Sequence, residues 1–176
     1  MGRGSILGMC AMLLAACASA PQRAPGSPAG HQVGQEDAVL AAFDRYVTAI
    51  SNRDLKAMAE MQTAEGMTYV SRPKDGGGSE IVARPTAAFL DPSRAVGPAL
   101  RERYWSPTVL VRGSIAVVWA PYEFWLDGET SHCGVDVFDF VNIEGEWRVS
   151  NAMWTVEPGA CDELRPADKA ALRPAG

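Results

Sequence analysis

The chain has 176 residues, 47% of them hydrophobic, and a formal net charge of -5, with 16 basic residues scattered among 21 acidic ones. That length suits one domain able to bury a core without help from disulfides. The charge leaves no basic face for a phosphate backbone and no polybasic membrane patch, which argues against nucleic acid as a partner.

The first segment, MGRGSILGMCAMLLAACASA, places Arg3 before an apolar run from Ile6 to Ala16. The run is too short to span a bilayer and has the pattern of an export signal. Within it LAAC, residues 14–17, resembles the bacterial lipobox, whose cysteine is lipidated and becomes the new N-terminus. On this reading residues 1–16 are a removed lipoprotein signal peptide. Cys17 then carries lipid and anchors the chain to the cell envelope, facing the periplasm. The competing site, ASA at 18–20, would give a secreted protein, and Pro21 directly after it is a poor match. Residues 17–35 are rich in Pro, Gly, Ser and Ala and read as a flexible tether that includes His31. With Cys10 removed and Cys17 lipidated, Cys133 and Cys161 remain in a compartment where disulfides persist, and they are the expected pair.

The folded part is expected over 36–158. Val39, Phe43, Tyr46, Val47 and Ile50 form one apolar stripe of a helix with Asp37 as N-cap and its end near Asn52. A second helix follows, capped by Asp54, with Leu55, Met58 and Met61 inward. Residues 66–71 read as a short strand, 72–80 as a turn-rich loop, and 84–100 as short helices broken by Pro and Gly. Three β-rich runs follow, with hairpin turns at Asp127-Gly128 and Glu144-Gly145, and residues 159–176 form a polar tail.

Helices followed by an antiparallel meander predict an α+β layer architecture. The order of elements, and the stretch AVVWAPYEFWLDGETSHCGVDVFDFVNIEGEWRVSNAMWTV with its G-x-W at Gly145 to Trp147, resemble the nuclear transport factor 2-like superfamily in its SnoaL-like bacterial branch, over about residues 36–157. The resemblance implies a cone: a strongly curved antiparallel sheet wrapped on N-terminal helices, with a cavity at the open end. The superfamily includes isomerases, cyclases, dehydratases, epoxide hydrolases, binders and transport factors, so the fold leaves the function open.

Two-residue turns at both hairpins set Glu123 opposite His132, Trp119 and Met153 opposite Asp136, Asn151 opposite Phe138, and Thr155 opposite Gly134. The expected cavity face therefore carries Ile115, Val117, Trp119, Glu123, His132, Asp136, Phe138, Asn151, Met153 and Thr155, with Tyr46 and Tyr69 nearby. Cys133 points the other way, because strand residues alternate. The other face is expected to carry Val118, Tyr122, Phe124, Val135, Val137, Ala152, Trp154 and Val156, and the resemblance implies a homodimer through it.

Asp136 among apolar walls is the candidate base or, if protonated, donor. A structural aspartate satisfied by Asn151, Tyr46 or a backbone amide is the competing reading. His132 with Glu123 is either a proton-transfer pair or a solvated contact at the rim. Two histidines, one of them in the tether, and no CxxC spacing give no metal site, although His132, Glu123 and Asp136 are the set that would form one. DGGGSE lacks a P-loop lysine, and no cofactor is expected. The reading is a lipid-anchored domain that binds a small, largely apolar molecule. The alternatives are a cofactor-independent lyase, isomerase or hydrolase with Asp136 as base, helped by His132, Tyr46 or Tyr69, and a non-catalytic scaffold whose cone is filled by Trp119, Trp125 and Phe138.

Overall fold

The computed structural model describes Met1, residues 29–168 and residues 172–174. The signal-like segment, Cys17 and the first part of the tether lie outside the described residues. Helix α1 (Ala29–Asn52) begins immediately after Pro28, the last proline of the tract, and so takes in residues 29–35 that read as tether. Its buried residues are Val39, Ala42, Phe43, Tyr46, Val47 and Ala49, and with the partly buried Ile50 they follow the expected stripe. Helix α2 (Leu55–Glu60) is capped by Asp54, whose carboxylate accepts from the Ala57 backbone N at 2.9 Å.

The strands are β1 (Met67–Pro73), β2 (Ser79–Pro85), β3 (Leu100–Tyr104), β4 (Thr108–Arg112), β5 (Ile115–Leu126), β6 (Glu129–Ile143) and β7 (Glu146–Thr155). Strand β2 was not anticipated. The glycines at 76–78, all at positive φ, turn the chain back so that β2 pairs with β1. Two 3-10 turns, Thr86–Leu90 and Pro92–Ala95, lead to β3. One seven-stranded sheet has the order β2-β1-β7-β6-β5-β3, with β4 also on β5. Among the described strands the β1–β7 pairing is the parallel one, and an isolated bridge from Gln62 to Val149 is also parallel.

The architecture is α+β, a curved sheet packed on the N-terminal helices, as the sequence predicted. Phe43 is the keystone of the α1–sheet contact. It is fully buried, and its ring centroid lies 4.5 Å from that of Tyr104, 5.0 Å from that of Phe138 and 6.3 Å from that of Phe140.

Both hairpin turns sit where expected, with Asp127, Gly128, Glu144 and Gly145 all at positive φ, as a type I′ turn requires. The register beyond them differs from expectation. In the β5–β6 hairpin Trp125 pairs with Thr130 and Phe124 with His132, so Ser131 is a bulge. In the β6–β7 hairpin Asp139 pairs with Asn151 and Phe140 with Val149, so Ser150 is a second bulge. Each extra residue inverts the faces of one strand relative to its neighbour.

The tail is fastened in two places. Cys133 and the Cys161 of α3 (Cys161–Leu164) form the expected disulfide, with Cα atoms 5.1 Å apart. Closing that loop contributes about 2–4 kcal/mol in a chain-entropy account. Further on, the Arg173 guanidinium donates to Asp44 on α1 at 2.6 Å, and Tyr104 Oη donates to the same carboxylate at 2.6 Å.

Replacing Phe43 with Ala removes the ring on which three aromatic contacts converge. The expected loss of unfolding free energy is about 3–5 kcal/mol, read from urea denaturation; a loss under about 1 kcal/mol would show that α1 is not anchored at this point.

Candidate functional site

A cavity of about 250 Å³ opens between the concave face of the sheet and the two helices. Tyr46, Ile50, Leu55 and Met58 wall it from the helices, and Phe124, Phe138, Ala152 and Trp154 wall it from the sheet. Of the residues singled out from sequence, Asp136, His132, Tyr46 and Phe138 line it.

Trp119, Glu123, Asn151, Met153, Thr155 and Tyr69 do not. The two bulges turn the odd-numbered residues of β5 and the odd-numbered residues of β7 from Asn151 onward to the convex face, and Tyr69 follows because β1 pairs it with Met153. By the same inversion Val118, Tyr122, Phe124, Ala152, Trp154 and Val156, expected on the convex face, are concave. Cys133, Val135 and Val137 stay convex as expected. Of the aromatics offered as cone filling, Trp119 is 44% exposed outside and Trp125 lies under the Arg101 guanidinium, which leaves only Phe138 facing the cavity.

Glu123 and His132 are therefore not a pair. Glu123 is buried on the convex side, where its carboxylate accepts from Arg165 and from Thr130 Oγ1 and so holds the tail. His132 faces the cavity between aromatic rings, stacked on Phe124 at 5.3 Å and edge-on to Tyr122 at 5.7 Å. Among the described residues, its side-chain hydrogen bond is to Ser131 Oγ at 3.1 Å. Partial burial lowers its pKa, so the imidazole is neutral at neutral pH. With Glu123 on the opposite face, the set His132, Glu123 and Asp136 cannot converge on a metal. The cluster of metal-ligating groups among the described residues, Glu123, Cys133 and Cys161, has both its sulfurs in the disulfide.

The partner of Asp136 is Glu102, a residue the sequence reading passed over. The run Leu100–Tyr104, LRERY, looks like a solvated charge cluster, but strand alternation turns Leu100, Glu102 and Tyr104 inward. Glu102 is 5% exposed and Asp136 3%. Ser51 Oγ accepts from the Glu102 backbone N at 3.0 Å and so ties β3 to the end of α1.

The two carboxyls lie within hydrogen-bonding reach of each other. Among the described residues, Asp136 Oδ2 has no N–H or O–H donor. Two ionised carboxylates in this position would leave a buried anion uncompensated, so the pair shares a proton. Burial, the charge of Glu102 and the hydrogen bond to Glu102 all hold the Asp136 pKa well above the usual aspartate range, which makes Asp136 the donor. Burial also pushes Glu102 up to about 7, partly offset by the bond it receives from Asp136. Glu102 is thus the member of the pair that ionises near neutrality.

Two tyrosines flank the pair. Tyr46 Oη donates to Gln62 Oε1 at 2.8 Å and Tyr122 Oη to the Thr155 carbonyl at 2.7 Å. Burial, followed by the neighbouring carboxylate charge, raises both hydroxyls far above the ordinary tyrosine value and keeps them neutral. The Thr155 carbonyl reaches Tyr122 by passing over Gly134, where a Cβ would lie 2.1 Å from that oxygen. No other residue fits there.

No family model matches the chain, and no curated protein does. Solved structures do match. An NTF2-like protein with a cystatin-like fold from Novosphingobium aromaticivorans is 14% identical over 81% of this chain and 90% of its own, with a TM-score of 0.57. An NTF2-like protein of unknown function from Silicibacter pomeroyi is 20% identical over 72% and 98%, with a TM-score of 0.53. A protein from Streptomyces avermitilis, provisionally called a dehydratase of the NTF2-like family, is 13% identical over 71% and 97%, with a TM-score of 0.54. At these identities the likeness is one of fold: the chain has the NTF2-like, cystatin-like fold.

Both carboxyls keep their protons to higher pH in the folded chain than in the unfolded one. Their stabilising contributions are complete below the ordinary values of 3.8 and 4.5; that of Asp136 is lost as the pH rises through its own raised value, and that of Glu102 as the pH rises through about 7. Glu102→Gln removes that loss. Its melting temperature is expected to gain on the wild type by several degrees between about pH 5 and about pH 8; parallel melting curves across that range would refute the shared proton.

Proposed function

We propose that this is a lipid-anchored protein of the bacterial cell envelope, facing the periplasm, whose SnoaL-like cone domain binds a small, largely apolar molecule in the cavity. The observation that carries the reading is the Asp136–Glu102 pair: two buried carboxyls on the wall of an apolar cavity, one of them with an oxygen that no N–H or O–H donor among the described residues satisfies. Such a pair costs stability in a purely structural domain and orients a polar group of a bound molecule.

A second reading, cofactor-independent lyase, isomerase or hydrolase chemistry, is favoured by one feature. Glu102 at about 7 suits a general base at neutral pH, with Asp136 donating to it. This moves the role of base from Asp136 to its partner and leaves Asp136 as the group that holds it. Tyr46 and His132 remain in reach of the cavity as helpers, whereas Tyr69 lies on the convex face.

The convex face carries Trp119, Met153 and Tyr69, each more than 40% exposed. That apolar surface supports the homodimer.

Cys17→Ser is expected to move the protein from the membrane to the soluble fraction of a bacterial host; continued membrane retention would overturn the anchor. Sedimentation of the soluble variant should give a dimer that Trp119→Arg returns to monomer, and a monomer from the start contradicts the interface.

The same soluble chain can be screened by thermal shift against a metabolite library beside its Asp136→Asn variant. If it is a binder, hits stabilise both proteins. If it is an enzyme, Asp136→Asn retains the hits and lowers turnover by about 10²- to 10⁴-fold. A library with no hits on either protein would count against a binding cavity.

A further inference from the structure

The cavity also has two cations on its wall, Arg53 and Arg94. Arg53 follows α1 at φ 52, and its guanidinium reaches across to the segment before β3. There Nε and Nη2 donate to the Pro98 carbonyl at 3.1 and 2.9 Å, and Nη1 donates to the Arg94 carbonyl at 2.9 Å. These bonds use three of its five N–H groups. Arg94 projects from the second 3-10 turn, and its guanidinium lies 4.7 Å over the Phe89 ring, which itself stands edge-on to Trp154 at 5.5 Å. Among the described residues, the ion pairs involve neither arginine. Carbonyls and an aromatic ring position them, and the opposite charge beside Arg94 is that of the exposed Asp91 carboxylate, which its Ser93 hydrogen bonds and then Arg94 hold below the usual aspartate range without closing an ion pair.

The opposite charge lies deeper. Once Glu102 ionises near neutrality, Glu102 and Asp136 hold one proton between them and present an acceptor in the buried part of the cavity wall. An apolar chamber with positive charge at its exposed lip and an acceptor at its buried end matches a molecule with the complementary arrangement. We infer that the ligand is an apolar organic acid, whose carboxylate lies against Arg53 and Arg94 while a hydroxyl at its far end donates to the Glu102–Asp136 pair. The inference rests on the reading of the cavity as a binding site and adds the chemical class of what binds there.

A matched pair of fluorescent probes separates the two. N-phenyl-1-naphthylamine is neutral; 8-anilinonaphthalene-1-sulfonate has the same skeleton with an anionic group. Leu55→Trp, which narrows the cavity from α2, and Ala152→Phe, which narrows it from β7, distinguish cavity binding from binding to the convex face. In Arg94→Gln, an exposed substitution, the anionic probe is expected to bind about tenfold more weakly while the neutral one is unaffected, and Arg94→Lys should restore most of the loss. Equal affinities for the anionic probe in wild type and Arg94→Gln, with both probes still sensitive to Leu55→Trp or Ala152→Phe, would overturn the organic-acid inference and leave the binding reading intact. Insensitivity of both probes to both narrowing variants would overturn the binding reading and the inference with it.

Discussion

The curvature of the sheet, and with it the identity of every cavity residue on three strands, depends on two positions at which one strand carries a residue its neighbour does not oppose. Ser131 and Ser150 are those residues. A bulge increases local twist and bends its strand. Here the bends let β5, β6 and β7 close around α1 rather than lie flat beneath it. Because side chains alternate with a period of two, each bulge also decides which residues meet. It is Ser131 that sets His132 beside Phe124 and Tyr122, and sends Glu123 outward to Arg165.

The site follows from that geometry together with the length of β3. A five-residue strand on the edge of β5 opposite β6 brings Glu102 inward, and the Ser51 contact fixes β3 against the end of α1. Two buried carboxyls meet where, among the described residues, no cation forms an ion pair with either. Their charge is therefore reduced by sharing a proton rather than by an ion pair. The chain has cations to spare nearby, but Arg165 and Arg173 are committed to fastening the tail and Arg53 to holding the segment before β3. This division between structural pairs on the outside and an unneutralised polar group within gives the concave face a chemistry distinct from its surroundings.

The convex side is tied down covalently and ionically at the hairpin that supports the cavity from behind. Cys133 is bonded to Cys161, its backbone N and O both pair with Glu157, and Gly134 lets the Thr155 carbonyl pass close enough to meet Tyr122. The tail is thus part of what keeps β6 in register beside the cavity, although as sequence it looks like an appendix.

Composition and periodicity by themselves determined a good deal. The stripe Val39, Phe43, Tyr46, Val47 made α1 legible; paired turn residues at Asp127-Gly128 and Glu144-Gly145 made both hairpins legible; and counting cysteines made the disulfide legible. On β6 the inward assignment of His132, Asp136 and Phe138 was also readable, since alternation along one strand is a local rule. What only the tertiary structure decided was how adjacent strands are phased. A bulge is a long-range compromise between twist and packing and leaves no mark beyond an ordinary serine, so Trp119, Glu123, Asn151, Met153 and Thr155 came out on the wrong face. Glu102 was hidden for a related reason: between two arginines it reads as solvated, and only the meeting of β3 with β5, β6 and α1 removes it from water and gives it Asp136 as a partner.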